Sequence, residues 1–586
     1  MNERWDLTPL YSGFTDEKWT GDLEALTADC RDFAAFSREI GALPPKEALR
    51  GYIDRMEALS HRMEDLALYA SLRQAADTRD SEAGSAMGQI LALNSTLAGP
   101  DAVCKAYLSS LPELQKELEG DEVLESYRYL FRRMQEQSRH LLDGKCEEIL
   151  ARMEISGSSA WSDLQSRLTS SVVVEYQGSK TNLSSIRNLA YDPDPAVRKA
   201  AYEAELKCYP QIEDSVAFSL NSIKLEAINE AELRGYASPL DQALSDACMK
   251  RETLDAMFSA IDEALPKFWQ YLKAKGKALG HENGLPWYEL FAPLGKASGK
   301  KYTTQDAKDY LLNIFKDFDP ELRDMVAEAF DEAWIDFYPR EGKVGGAFCA
   351  NAISLGQSRV LTNFDGAFGD IVTLAHELGH AFHNRCLNGQ RPLNRDYSMP
   401  VAETASTFNE CVVMNAAISA AQSREEKLYL IENQLSDAAQ IICDIDSRYR
   451  FESAVFARRG REFLPAQTLC GLMLEAQKQA YGDGLDPKAL HPYMWICKSH
   501  YYGRPHFYNF PYAFGGLFAR GLYAMYTEQG AAFVPEYKKL LRATPVATVE
   551  DAAKVVGVDL TKKEFWEKGL RILSDEIDEF LSLVEE

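Results

Sequence analysis

Apolar residues recur at three- and four-residue spacing along most of the chain, the period of one helix face. Residues 18–150 show it clearly, with Leu66, Tyr69 and Leu72 beside Ala70 and Ala76 in stretches rich in Ala, Leu, Glu, Arg and Met. Polar breaks at Gly41 to Pro45 and Ala98 to Asp101 cut this pattern into consecutive helices, predicted to run antiparallel. The period changes at residues 171–179. There the β-branched run Val172, Val173, Val174 precedes Gln177 and Gly178, which predicts a small hairpin. Asp194 as N-cap and Pro195 at the first helical position predict a helix start. A loop-rich stretch runs from His281 to Thr304, where Thr303 or Thr304 can cap the next helix. Residues 344–349 and 357–363 read as two short strands, so a small sheet is expected just before residue 366. The expected fold class is mostly α with that one small sheet. A boundary near residue 185 separates an N-terminal helical domain, residues 1–185, from a second domain, residues 186–586. No repeat or low-complexity segment interrupts either.

Composition narrows the class. With 586 residues the chain can bury a large core unaided, and its 11% aromatic content excludes disorder as the main state. Lys and Arg total 64 against 89 Asp and Glu, a formal charge of −25 with no basic stripe, so nucleic acid is excluded as the expected partner. The start, Met1 to Gly13, has no apolar signal region, and no apolar run approaches the ~18 residues that span a bilayer, so no membrane is expected. Eleven cysteines stand singly with no CxxC pair, which fits reduced thiols and a cytoplasmic location.

The chemistry lies in residues 370–383. His376, Glu377 and His380 form an HExxH pattern. Histidines four apart share one helix face, and their imidazoles can bind a single Zn²⁺ at about 2.0–2.1 Å each. Glu377 follows the first histidine and can act as general base toward a water at the metal. Val372, Leu374, Ala375 and Phe382 supply an apolar surround, as a buried helix with two satisfied histidines would also have. His383 and Cys386 stand where a metzincin would need Gly and a third His, so that class is excluded; His383 is expected to pack rather than ligate. The next helix starts near Pro400 and places Glu403, Thr407 and Glu410 on one face. Glu403 could complete a His₂Glu site, or it could be a solvated first-turn carboxylate at the helix dipole. Glu410 could bond a ligand histidine or be plain surface.

A third feature runs from Lys498 to Gly516. Phe507, Phe510, Phe514 and Phe518 read as core. His500, His506, Tyr501, Tyr502, Tyr508 and Tyr512 each carry a polar tip that needs a partner. Peptide hydrolysis through a tetrahedral intermediate needs donors aimed at the oxyanion, and histidine or tyrosine on this segment could supply them. Pro511 is expected to start a helix running to Gly530.

Together these residues resemble oligoendopeptidase F and the wider thimet oligopeptidase family of zinc metallopeptidases. The resemblance is carried by Trp5 to Leu7 with Leu10 and Tyr11, Gly345 to Phe348, and Asn363 to Gly366. Its more specific segments are Thr373 to His383, Ala402 to Glu410, and His506 to Gly515. The resemblance implies one Zn²⁺ per chain on His376, His380 and Glu403, with Glu377 as base. It implies that His506 and Tyr512, with Tyr508 as a further candidate, steady the intermediate and substrate, and that Gly345 and Gly346 border the peptide backbone. Phe514 and Gly516 stand where some relatives have further tyrosines. The implied fold is an elongated, almost all-α ellipsoid with a deep central channel, covered by the N-terminal domain, with zinc at the bottom and the small sheet beside the HExxH helix. The expected activity is endopeptidase cleavage of short unstructured peptides. The rival readings are a C-terminal exopeptidase, which would need a fixed cation for the terminal carboxylate, and a helical protein that binds peptides without cutting them.

Overall fold

A computed structural model of the chain describes residues 2–296 and 299–585; Ala297 and Ser298, inside the predicted loop stretch, lie outside the described residues. The N-terminal part opens with the long helices α1 (Glu17–Glu39) and α2 (Pro45–Ala76). The Asp16 side chain caps α1 by accepting from the Lys18 amide. The predicted stripe is the buried face of α2: Leu66, Tyr69 and Leu72 are all enclosed. Tyr11 and Phe14 pack edge-on against Tyr69 at 5.5 and 5.2 Å between ring centroids, and the tilted Trp19 ring lies 5.6 Å from it.

The hairpin is present. β1 (Val173–Tyr176) and β2 (Ser179–Asn182) pair antiparallel with Tyr176 opposite Ser179. Gln177 and Gly178 turn at φ 49° and 78°, the left-handed pair that matches strand twist in a two-residue turn. Asp194 caps α3 (Pro195–Cys208), and α4 (Glu213–Leu233) follows. Thr303 and Asp306 form a capping box at the start of α5 (Thr304–Phe318).

The small sheet comprises β3 (Ile335–Asp336), β4 (Phe348–Ala352) and β5 (Gln357–Leu361), in the order β3-β5-β4. The first predicted strand is displaced toward the C-terminus. The Asn363 amide donates to the carbonyls of Val344 and Gly346 at 3.0 and 2.8 Å, and Gly346 has φ 78°, so residues 344–347 turn instead of pairing. β4 pairs only with β5, which leaves it as an edge strand.

Seven further helices complete the set used below: α6 (Phe368–Cys386), the single turn α7 (Met399–Ala402), α8 (Thr404–Ala420), α9 (Arg424–Ala439), α10 (Ile445–Arg459), α11 (Phe510–Gln529) and α12 (Lys563–Glu585). Pro511 sits in the first turn of α11, as expected. Among the described residues, buried apolar side chains form three cores. One spans Leu10 to Met134, and a second joins residues 172–223 to residues 451–502. The third and largest runs from Leu240 to Phe580 and encloses α6, α8, α11 and α12. α6 also packs against β4 and β5.

Candidate active site

α6 presents His376 and His380 one turn apart, their ring centroids separated by 4.9 Å. The helical run that ends in α7 breaks at Glu403 (φ −90°, ψ 9°) before α8 resumes at Thr404. The Glu403 Oε2 atom lies 3.3 Å from Nε2 of both histidines and accepts from Ser406 Oγ at 2.7 Å. Two glycines permit this approach. A Cβ on Gly379 of α6 would stand 2.5 Å from the Ala405 carbonyl and 2.6 Å from Ser406 Cα. A Cβ on Gly515 of α11 would meet Glu403 Cβ at 3.3 Å. The two histidines and Glu403 each offer one ligand atom, all within 4.8 Å of one another. Two imidazoles and one carboxylate are a catalytic zinc donor set, and two such ligands around a tetrahedral ion lie about 3.3 Å apart. The observed spacing fits.

Electrostatics point the same way. Glu410 of α8 lies 2.6 Å from His376 Nδ1. An ionised carboxylate only accepts, so Nδ1 donates and Nε2 faces the cluster. Burial opposes a charged ring at His376, but hydrogen bonds to Glu403 and Glu410 overcome it and hold the pKa up at about 10. Burial would also raise Glu403, yet the hydrogen bonds from His376 and His380 keep it well below the ordinary carboxylate range. The cluster is therefore built around positive charge at its centre. Glu377 is buried, and this pushes its carboxyl above the usual range against the pull of both histidines.

His376 and Glu377 line a cavity of about 510 Å³ together with Ala347, Thr373, Glu410 and Asp437. Gly345 and Gly346 are exposed immediately before Ala347, and a Cβ added at either would have no neighbouring atom within 4 Å. His383 is fully buried, stacked on Tyr397 at 4.2 Å and 2.9 Å from Thr544 Oγ1, and burial drops its pKa to about 3.

The aromatic segment divides. Tyr512 is close enough to Glu403 for that carboxylate's charge to act on it; burial first, then its bond with Tyr508, push its phenol up to about 12. Tyr508 and His500 stack at 5.0 Å, and His500 lies 5.9 Å from the Tyr512 ring. His506 stands apart, 3.4 Å from Lys224 Nζ and against the Phe456 ring, with burial, Lys224 and Arg504 all disfavouring its charge. The histidine brought to Tyr508 and Tyr512 is thus His500, whose polar tip was the available sequence signal. Asp437 carried no signal, because it lies on an ordinary amphipathic helix.

The sequence profile of peptidase family M3 matches residues 188–572, and that of the oligopeptidase F N-terminal region matches residues 100–173. The chain belongs to peptidase family M3. As an M3 member it is a metalloendopeptidase. It is 24% identical to oligopeptidase PepF of Bacillus subtilis over 99% of this chain and 87% of that protein. It is 26% identical to the chromosomal oligoendopeptidase F of Lactococcus lactis subsp. cremoris, over 99% and 97%. Its fold is similar to that of a chain from Chlamydophila abortus, with TM-score 0.86, 22% identity and coverage of 99% and 98%. The oligoendopeptidase-F structure from Enterococcus faecium gives a TM-score of 0.71 at 19% identity, covering 97% and 99%. Among the described residues no helix of this M3 peptidase is long and apolar enough to cross a membrane.

Proposed function

We propose that this M3 peptidase is a zinc-dependent endopeptidase acting on short, unstructured peptides. His376, His380 and Glu403 would hold one Zn²⁺, which when bound supplies Lewis-acid polarisation of the scissile carbonyl and acidifies a water. Glu377 takes the proton of the attacking water and delivers it to the leaving amine. Its raised pKa suits a group that must both accept and return a proton. Tyr512 keeps its proton at neutral pH and donates to the developing oxyanion, with Tyr508 and His500 fixing its place. His506 lies against Lys224 and the Phe456 ring, whereas the Glu403 charge acts on Tyr512, so Tyr512 is the donor this geometry supports better. The flexible, side-chain-free backbone of Gly345 and Gly346 and the unpaired edge of β4 offer an extended peptide hydrogen-bonding groups beside the cavity.

The names of the bacterial relatives support oligopeptide substrates. The two profile matches meet between residues 173 and 188, which supports residues 1–185 as a covering domain and residues 186–586 as the catalytic one. Eleven free cysteines support a cytoplasmic location. The observation that carries the proposal is the Glu403 oxygen placed 3.3 Å from both histidine nitrogens. The test is a quenched peptide blocked at both ends. The enzyme should cut it internally, lose activity with a chelator and regain it with zinc. Glu377→Gln should keep zinc and lose turnover. Undiminished cleavage after chelation, or cleavage only of peptides with a free C-terminus, would overturn the reading.

A further inference from the structure

Tyr429, Asn433 and Asp437 are four residues apart on α9 and therefore share one face. All three line the cavity that holds His376 and Glu377, and all three line a second cavity of about 540 Å³ that reaches Arg198 and Trp287. This face of α9 is the wall common to both. Most charged groups around the second cavity are already paired: Glu205 with Arg187, Glu432 with Lys275, and Asp444 with Arg448. Asp437 differs. No hydrogen bond or ion pair to its carboxylate is found among the described residues, yet its side chain is exposed on the cavity wall. Arg520 lines the same cavity, but it donates to the Gly516 carbonyl and makes no ion pair with Asp437. Glu410 is a further negative group on that wall.

A carboxylate that stands unpaired on the wall of a cavity can pair with a cation that enters it, and a guanidinium can bind it through two parallel bonds. We infer that Asp437 is a specificity-determining residue: it receives a basic side chain of the peptide, lysine or arginine, close to the bond that is cut. The inference rests on the peptidase reading above and adds the substrate's charge to it.

The test uses quenched peptides acetylated at the N-terminus and amidated at the C-terminus, so that no terminal ammonium competes. Each position flanking the cut carries in turn arginine or citrulline, which keeps the size and removes the charge. At one position the parent enzyme should prefer arginine about tenfold in kcat/KM, the size of one charged hydrogen-bonded contact. Asp437→Asn should lose the arginine preference and cut the two peptides with equal kcat/KM. Asp437→Lys should turn the preference toward glutamate there. The inference fails if no position discriminates, or if Asp437→Asn slows both peptides equally. If the parent cuts none of these peptides, the peptidase reading fails instead. Anisotropy binding of the same pairs to the Glu377→Gln protein then still decides the inference, and equal Kd values for arginine and citrulline overturn it.

Discussion

Removing the Glu410 carboxylate should weaken zinc binding without touching any candidate ligand. Its Oε1 holds His376 Nδ1 at 2.6 Å, which selects the tautomer whose Nε2 lone pair faces Glu403 and His380. Loss of such a partner costs about 10–100-fold in metal affinity. The Glu410 side chain is 34% exposed, so water already screens part of its charge, and the expected loss lies at about 10–30-fold, ~1.4–2 kcal/mol. An opposing effect exists. Glu410 also helps hold a proton on His376, and that proton must leave before the metal binds. Zn²⁺ carries twice the charge of the proton it displaces, so losing the carboxylate costs the ion more than the proton, and net weakening is expected. Glu410→Gln keeps an acceptor for Nδ1 and loses only charge, so it should fall between parent and Glu410→Ala. The assay is competition for zinc against a chelator of known affinity, with Tm recorded alongside. A folded Glu410→Ala protein that holds zinc as tightly as the parent would show that Glu410 does not orient His376.

Three further outcomes are expected. Gly379→Ala would drive a methyl group into the Ala405 carbonyl at 2.5 Å, so it should separate α6 from α8 and lower both zinc stoichiometry and Tm, read by metal analysis and thermal melts. Tyr512→Phe should lower kcat by roughly 10²-fold with little change in KM, because the bond it removes forms mainly in the transition state; steady-state kinetics decide. Burial raises the Glu576 pKa to about 7, so between about pH 4.5 and 7 unfolding releases a proton and stability falls as pH rises, levelling off above. Glu576→Gln should therefore be more stable than the parent at pH 8, by ~1–3 kcal/mol, and gain nothing at pH 4.5; the difference in Tm across that range reads it.

Gln434 gives that last effect a structural basis. It donates to Glu576 Oε1 at 2.6 Å, while Gln434 Oε1 and Glu576 Oε2 are both buried without partners. A protonated Glu576, or a glutamine in its place, presents a donor as well as an acceptor and can close the second bond of an acid–amide pair. An ionised Glu576 leaves two acceptors orphaned.

Local signals along the chain were enough for the helical texture, the hairpin at Gln177 and Gly178, the caps at Asp194 and Thr303, and the HExxH face, because each depends on residues within one or two turns. Glu403 was legible only as one of two possibilities. Its role as a neighbour of both histidines depends on the helix break at that residue and on Gly515, which lies far along the sequence in α11. The assignment among His500, His506 and the tyrosines was less legible still. All lie in one aromatic segment, and the surroundings of each ring depend on charges far away in the sequence. Glu452 accepts from the Phe507 amide at 3.1 Å and from Lys224 at 2.6 Å, which draws His506 toward α4.

Those same contacts explain how the candidate donor is positioned. Arg448 and Glu452 stand four residues apart on α10 and grip the segment at two points. Arg448 donates to Asn509 Oδ1 at 3.0 Å, and Glu452 accepts from the Phe507 amide. Asn509 Oδ1 can only accept, so His500, at 3.2 Å, donates to it from Nδ1. Tyr501 and Tyr502 belong to the core that joins residues 172–223 to 451–502, whereas Phe507 and Phe510 belong to the core that encloses α6. The segment therefore crosses from one core to the other just before Tyr512. The cluster of His376, His380 and Glu403 lies on elements of a single core, but the ring system of His500, Tyr508 and Tyr512 is assembled across two. Any shift between those cores would move His500 relative to Tyr512 while leaving His376, His380 and Glu403 in place. On the proposed reading, metal affinity and transition-state stabilisation would thus be supported by separate parts of the fold, with the α10 face that bears Arg448 and Glu452 gripping the segment between them.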